Sequence, residues 1–245
     1  MSLLCHGHTA SLLCEQKELQ RMTGDTLRPG GLELTNRAMQ FCNLPAHSTV
    51  LDVGCGYGQT MALLSAQFGL HVMGLDPAES MLRKTAELLP ASLIFQADAA
   101  AIPVRSNFFD ALIAECVLSL LADMQASLEE MHRVLVQGGR LVLTDIYARK
   151  ENFLPGVPQS GIHSCFNGAV SIDTIRECLQ AAGFTILLLE DHTRFLRQLA
   201  GQIIFSFGSL EAFWQLFMGV DKAATTCGSI ANAKPGYYLL IAAKE

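Results

Sequence analysis

The sequence predicts an α/β protein built on one open, doubly wound, mostly parallel sheet. Two observations support this fold class. The β-branched and apolar run Thr49–Val53 leads into a glycine-rich turn, and residues 59–68 then have helical character until Gly69. This strand–turn–helix unit is the one that opens such sheets. Beyond it, strand-like apolar runs alternate with amphipathic helical patterns through the rest of the chain, which is typical of α/β folds.

The remaining elements are assigned from apolar periodicity and from helix and turn signals. The segment 147–170 is predicted to be an irregular binding loop, because long segments without regular structure are commonly functional. The predicted ranges are helices at 15–22, 32–43, 79–89, 124–136 and 172–182, strands at 71–76, 93–95, 108–114, 140–146, 184–189 and 236–243, and two insertion helices at about 192–207 and 209–222.

Composition limits the classes of partner. The chain has 245 residues and a formal net charge of −6, without a cluster of lysines and arginines, so we expect no nucleic-acid partner. The long uncharged stretch 154–172 contains Pro155 and Pro158, so we expect no membrane span there. No secretory signal is evident, which predicts a cytoplasmic location. The eight cysteines form no C-x-x-C pair, so disulfides and a metal site have little support.

The glycine-rich turn carries the first functional pattern, D-x-G-x-G-x-G. Asp52 ends the strand, and Gly54, Gly56 and Gly58 follow at alternate positions. Glycines permit positive φ and let a ligand approach the backbone closely, while the N–H groups that begin the next helix face the same place. A dinucleotide fingerprint, G-x-G-x-x-G, would need a third glycine where Gln59 stands.

Acidic residues follow the next strands at the edge where ligands of open sheets bind. Asp76 ends the second strand, and its carboxylate has the geometry to accept both hydroxyls of a ribose. The alternative for Asp76 is a role as helix N-cap, since Pro77 follows it. Asp98 follows the third strand, and Glu115 follows the fourth, so Glu115 is expected to face the cleft.

Together with the string Phe109–Ile113 and with Glu130–Leu135 followed by Gly138-Gly139, the glycine pattern resembles the class I S-adenosylmethionine-dependent methyltransferases. The resemblance is strong over residues 48–146. It implies a seven-stranded sheet of order 3-2-1-4-5-7-6 with strand 7 antiparallel, helices on both faces, an N-terminal helical cover and a helical insertion between strands 6 and 7. The implied cofactor is S-adenosyl-L-methionine, with S-adenosyl-L-homocysteine as product.

The resemblance also implies residue roles. Asp98 would receive the adenine amino group and the backbone N–H of Ala99 would meet the ring, as Asp76 meets the ribose. Arg28 is a candidate clamp for the carboxylate of the cofactor, because a guanidinium binds a carboxylate bidentately; the alternative is a solvent-facing residue in a linker. The full set of cofactor-binding candidates is Arg28, Asp52, Gly54, Cys55, Gly56, Gly58, Asp76, Pro77, Met81, Asp98, Ala99, Glu115 and Cys116.

The expected reaction is in-line methyl transfer to a small-molecule acceptor, whose identity the sequence does not give. The candidates for a catalytic base are Glu115, Tyr147 and His163, and Glu115 has the alternative role of binding cofactor. Some methyltransferases of this fold hold a metalloid through thiols. Cys42, Cys165 and Cys227 are the residues to test for that, against ordinary packing roles.

We predict one domain over residues 1–245, with a helical cover at 1–44, a cofactor-binding core at 45–146 and an acceptor-side half at 147–245 that includes an insertion at about 191–235. A homodimer is compatible with the low charged fraction of 16%. Two other functions stay open. One is a non-catalytic protein that binds S-adenosylmethionine, and the other is a nicotinamide-dependent oxidoreductase, which Gln59 and Asp98 disfavour.

Overall fold

The computed structural model describes residues 11–12, 20, 26, 28–150 and 162–245. Seven strands form one sheet in the order β3-β2-β1-β4-β5-β7-β6. Strand β7 runs antiparallel to both of its neighbours, and the other neighbouring pairs are parallel, which confirms the predicted fold class and strand order. The strands are β1 Thr49–Val53, β2 His71–Asp76, β3 Ile94–Gln96, β4 Phe109–Glu115, β5 Leu135–Tyr147, β6 Phe184–Asp191 and β7 Gly236–Lys244.

Eight α-helices occur in the described part of the chain, five of them ahead of strand β6 and three between β6 and β7. They are α1 Gly31–Cys42, α2 Gln59–Phe68, α3 Glu79–Leu88, α4 Met124–Val134, α5 Ile172–Ala181, α6 Thr193–Phe207, α7 Leu210–Gln215 and α8 Val220–Ala233. Helix α1 precedes the first strand, as predicted. The helix predicted at 15–22 lies outside the described residues, apart from Gln20.

The insertion between β6 and β7 has three helices, so the prediction of two was wrong. The second predicted helix, 209–222, is divided because α7 ends at Gln215 and Gly219 takes an extended conformation before α8 begins. The residues between α7 and α8 are mostly apolar, so the sequence pattern gives no sign that the helix is interrupted there. Helix α8 was missed because its small residues, such as Ala223 and Gly228, give a weak apolar periodicity.

The predicted irregular segment is partly described. Residues 151–161 lie outside the described residues, and Ile162–His163 pairs in parallel with Ser11–Leu12 as two short strands separate from the main sheet. A further turn of 3₁₀ helix, Leu118–Leu120, follows strand β4.

The core has two layers because successive residues of each buried strand point to opposite faces of the sheet. Leu51 and Leu112 pack with helices α4 and α5 on one face. Their neighbours Val50 and Ile113 pack with α1 and α2 on the other face. Both faces of the central strands are therefore covered, as expected for a parallel sheet.

Strand register brings the glycine-rich turn between two acids. Val53 lies beside Leu75 of β2 on one side and beside Ala114 of β4 on the other. Each of these partners is followed directly by an acid, Asp76 or Glu115. Gly54 therefore begins its turn with one carboxyl group on each side, at the carboxyl edge of the sheet.

We expect Gly54→Ala to destabilise the fold more than Gly69→Ala. Both glycines have left-handed φ, at 70° and 63°, so each substitution should cost about 1–2 kcal/mol for the backbone conformation. A Cβ at Gly54 would also overlap the Val117 side chain, whereas a Cβ at Gly69 meets no described atom within 4 Å. Overpacking should add about 1–3 kcal/mol at Gly54.

Urea unfolding measures both losses. Equal free energies of unfolding for the two variants would contradict the crowding at Val117. The double variant Gly54→Ala/Val117→Ala should recover part of the additional loss, because it removes the overlapping methyl groups.

Candidate active site

The glycine-rich turn presents bare backbone at the carboxyl edge of the sheet. Gly54, Gly56 and Gly58 have φ of 70°, 53° and 76°, a conformation that L side chains disfavour. The N–H groups of Gly54 and Cys55 both donate to the Leu75 carbonyl, at 2.7 and 3.0 Å. These bonds fix the turn to strand β2, and the glycines in it have no side chain to cover their backbone.

A cavity of about 760 Å³ extends along this edge. This volume is within the range of about 300–1,000 Å³ that is typical of ligand sites. Twelve of the thirteen predicted cofactor-binding residues line it: Arg28, Asp52, Gly54, Cys55, Gly56, Asp76, Pro77, Met81, Asp98, Ala99, Glu115 and Cys116. The exception is Gly58, which is the N-cap of α2 and lies against Thr85.

Asp76 is held by backbone donors. Its Oδ2 accepts from the N–H of Gly56 at 3.0 Å, and its Oδ1 accepts from the N–H of Ala78 at 2.9 Å. The N-cap of helix α3 is Ala78, so Asp76 precedes the cap. Asp98 has a similar local bond, accepting from the N–H of Ala100 at 2.8 Å. Both carboxyl groups are thus oriented by short turns at the cavity wall.

A buried ion pair joins the N-terminal segment to strand β4. Arg28 Nη2 lies 2.7 Å from Glu115 Oε2, and the two side chains are only 7% and 3% exposed. The hydroxyls of Thr35 and Thr60 each accept from Arg28 Nη2 and donate to Glu115, on Oε1 and Oε2 respectively. Four side chains from the N-terminal segment, α1, α2 and β4 therefore form one network.

Asp52 lies next to this network as a buried acid. Its Oδ2 has no hydrogen-bond partner among the described residues. Burial raises the pKa of Asp52 well above its ordinary value, and the negative charge of Glu115 raises it further. A buried acceptor without a donor is costly unless something completes it. Arg28 has the complementary feature, because its Nε is buried without a described partner.

Cys116 follows strand β4 with a strained backbone. Its φ of 56° is in the left-handed region, although it is not a glycine. Its Sγ lies 3.1 Å from the hydroxyl of Tyr237. Burial raises the pKa of Cys116 and of Cys55 above the ordinary thiol value, so both line the cavity as neutral thiols.

The three candidates for a catalytic base are not brought together. Glu115 lies in the cavity wall within the ion pair. Tyr147 is outside the lining, where its hydroxyl donates to Asp191 at 3.0 Å and accepts from Arg149. His163 belongs to a short strand, and its side chain lies outside the described part of the structure.

The three cysteines singled out for a metalloid are also separate. Cys165 and Cys227 line the cavity, whereas Cys42 packs beside the core cluster at α1 and α2. Within the described ranges, no three histidine, cysteine or acidic side chains are placed to hold a metal ion together.

Sequence reasoning placed the insertion in the acceptor-side half, but it missed the hydroxyls of Thr35 and Thr60 and the individual side chains of the far wall. Thr60 lies two residues beyond Gly58, the last glycine of the motif, which was an available signal, but Thr35 is one of several polar residues on α1. The far wall comes from the insertion helices and from Phe166, with Arg149, Arg197 and Lys234 at its polar part. No motif connects these residues in the sequence.

Comparison with known proteins gives consistent matches. Residues 51–143 match a family model described as a methyltransferase domain. Phosphoethanolamine N-methyltransferase 1 of Triticum aestivum is 28% identical over 217 residues, which cover 84% of this chain and 42% of the relative. Methyltransferase GfsG of Streptomyces halstedii is 33% identical over 51% of this chain and 47% of the relative. The chain thus spans less than half the length of either relative.

A solved structure supports the fold. Phosphoethanolamine N-methyltransferase 2 of Haemonchus contortus, in complex with S-adenosyl-L-methionine, superposes with a TM-score of 0.72 at 20% identity, covering 92% of this chain and 56% of that one. Among the described residues, no helix is both long enough and apolar enough to cross a membrane.

The seven-stranded sheet with its reversed strand β7, and the glycine turn beneath a cavity at its carboxyl edge, define a Rossmann-like methyltransferase fold. Residues 51–143 match the methyltransferase domain model, and the chain is similar to S-adenosylmethionine-dependent methyltransferases in sequence and in fold.

We expect Glu115→Gln to destabilise the fold by about 3–5 kcal/mol, because it leaves the buried Arg28 guanidinium without its counter-charge. The matched control is Glu33→Gln, which removes the charge from the pair Arg194–Glu33, whose side chains are 64% and 63% exposed. An exposed pair contributes about 0–1 kcal/mol. Chemical denaturation measures both variants, and similar losses would show that the buried pair contributes no more than the exposed one.

Proposed function

We propose that the protein transfers the methyl group of S-adenosyl-L-methionine to a small-molecule acceptor. When bound, the cofactor supplies a methyl carbon on a sulfonium; the acceptor's nucleophilic atom forms a bond to this carbon as the carbon–sulfur bond breaks, and the electron pair leaves on sulfur. The observation that carries the proposal is the lining of the cavity, where the glycine turn, Asp76 and Asp98 meet at one edge of the sheet.

Each part of the cofactor has a matching group in this lining. Asp76, fixed by two backbone donors, is assigned to the ribose hydroxyls. Asp98 and the N–H of Ala99 are assigned to the adenine. The backbone around Gly54 is assigned to the methionine portion, with the unpartnered Nε of Arg28 as a donor to its carboxylate.

Charge supports a cationic ligand on this side of the cavity. The carboxyl groups of Asp52, Asp76, Asp98 and Glu115 line it, with Arg28 as the one cation among the residues assigned to the cofactor. The cofactor brings a sulfonium and an ammonium, which offset this excess of acid. The orphan Oδ2 of Asp52 is the acceptor that a cofactor N–H group would complete.

We assign catalysis to positioning, since holding the acceptor in line with the methyl carbon supplies much of the rate enhancement. Both oxygens of Glu115 already accept from Thr35, Thr60 or Arg28. We therefore assign Glu115 to orienting Arg28 rather than to proton transfer. His163 and Tyr147 stay candidates for a base only if the acceptor is bound in a protonated form.

The net charge of −6 supports a small molecule, rather than a nucleic acid, as acceptor, and we propose a cytoplasmic location. We further propose that residues 1–245 act as one domain. Homodimerisation is supported by the exposed apolar side chains of Ile204, Phe205, Leu216 and Val220 on the insertion.

We expect Asp76→Asn to weaken binding of S-adenosylhomocysteine by about 10- to 100-fold, because bonds to a charged acceptor contribute about 1.5–3 kcal/mol. Isothermal titration calorimetry measures the dissociation constant. The control is Asp173→Asn, the same change at an exposed side chain of α5, which should leave affinity unchanged. Unchanged affinity in Asp76→Asn, with the circular dichroism of the wild type, would refute the ribose assignment.

A thermal-shift panel separates the functional classes. Stabilisation by S-adenosylmethionine and S-adenosylhomocysteine, but not by NAD, is the expected result. Stabilisation by NAD alone would support an oxidoreductase instead. Tight cofactor binding without methyl transfer to any of a broad set of acceptors would favour the non-catalytic alternative.

Cofactor affinity should rise with pH, and Asp52→Asn should flatten this rise. The pKa of Asp52 is raised, so its carboxyl group is neutral at low pH and gains its charge as pH increases. The ionised form attracts the cationic cofactor more strongly than the neutral form does. Titrations of both proteins from mildly acidic to mildly alkaline pH test this, and the difference between them removes the cofactor's own ionisation. Parallel pH profiles would exclude Asp52 as the titrating group.

A further inference from the structure

The two halves of the cavity differ sharply in chemistry. Its four carboxyl groups all belong to the side formed by β1 to β4. The opposite wall is formed by the insertion helices α6, α7 and α8, which contribute no acidic side chain to the described lining. The sheet order explains this division, because the insertion connects β6 to β7 at the other end of the sheet.

The insertion wall is apolar and firmly packed. Ile203, Phe213 and Trp214 are buried in one cluster, with Leu199, Leu210 and Ile230 packed against it. All six also line the cavity. Phe166 adds an aromatic edge, its ring centroid 6.3 Å from that of Trp214 in a T-shaped arrangement. Such a surface binds the apolar part of a ligand favourably, because covering apolar area removes it from water.

Three cations stand together beside this apolar wall. Arg149 Nη2 donates to Thr193 Oγ1 at 3.0 Å, and its backbone N–H donates to the Ala233 carbonyl at 3.1 Å. Arg197 is one helical turn beyond Thr193 on α6, and Lys234 directly follows Ala233. The contacts of Arg149 therefore bring the three residues to one part of the cavity lining.

The charges of this group are only partly balanced. Arg149 is paired with Asp191 at 2.7 Å, and Asp191 is not part of the described cavity lining. Arg197 and Lys234 form no ion pair with any residue that the structure describes. The acceptor side of the cavity thus combines an apolar wall with excess positive charge, opposite in sign to the cofactor side.

We propose that the acceptor is an amphipathic organic anion, with an apolar ring or chain against the insertion helices and an acidic group near Arg197 and Lys234. This inference rests on the proposed methyl transfer and adds the chemical class of its acceptor. A small cationic amine is disfavoured, because it would leave the apolar wall uncovered and would be repelled by the three cations. Arg197 acts as a specificity residue that selects the sign of the ligand charge.

Calorimetric titration with two probes of equal apolar size tests the class of acceptor. The probes are 2-naphthoate, an anion, and 2-naphthylmethylammonium, a cation, each added with and without saturating S-adenosylhomocysteine at low ionic strength. We expect naphthoate to bind about fivefold more tightly than the ammonium, as one incompletely screened charge contributes up to about 1 kcal/mol. Equal affinities, or a preference for the ammonium, would overturn the proposal.

Three substitutions test whether naphthoate binds near Arg197 and the insertion helices. Arg197→Glu should lower naphthoate affinity about fivefold. Lys222→Glu, the same charge reversal on an exposed residue of α8 outside this cavity, should change it less than about twofold. Ala200→Trp places an indole in the cavity beside the apolar wall and should abolish binding of both probes while S-adenosylhomocysteine still binds.

These experiments distinguish an incorrect acceptor class from an incorrect proposed function. Loss of naphthoate binding in Lys222→Glu as large as in Arg197→Glu, or undiminished binding in Ala200→Trp, would refute the acceptor class alone. Failure of the wild-type protein to bind S-adenosylhomocysteine would instead refute the proposed function, whatever the probes do.

Discussion

The ion pair between Arg28 and Glu115 is the interaction on which the cofactor side of the cavity depends. It joins a residue ahead of α1 to the last residue of β4, and the hydroxyls of Thr35 and Thr60 connect it to two helices. Burying two charges costs several kcal/mol, which close geometry and these additional hydrogen bonds offset. The network lies beside the glycine turn and holds the Arg28 guanidinium in the cavity wall.

Most of the sheet could be predicted because its signals are local. A strand that ends in an acid and is followed by glycines and a helix can be identified from adjacent residues alone. Twelve of the thirteen predicted cofactor-binding residues accordingly line one cavity. Hydrogen bonds between side chains that are far apart in the sequence could not be predicted. Thr35 and Glu115 are 80 residues apart, and nothing in the sequence marks the threonine. The break at Gly219 was hidden for a different reason, because the flanking apolar residues continue a helix-like pattern.

The opposed charges of the two halves follow from the order of the strands. The acids that end β2 and β4 lie at one end of the carboxyl edge, whereas the insertion between β6 and β7 covers the other end. The two ligands therefore encounter different environments within one continuous cavity. Under the proposed function, such a division would let the side that binds the cofactor keep a fixed lining while the side chains of the insertion vary with the acceptor.

The position of β7 also governs how the chain assembles during synthesis. This strand lies between β5 and β6, yet it comes last of the three in sequence, after three helices. On the ribosome, the long apolar strand β5 therefore keeps an unpaired edge until residues 236–244 have emerged. Unpaired edges recruit other strands. Docking of β7 between β5 and β6 covers this edge, so the strand that completes the sheet also removes a site for pairing with other chains.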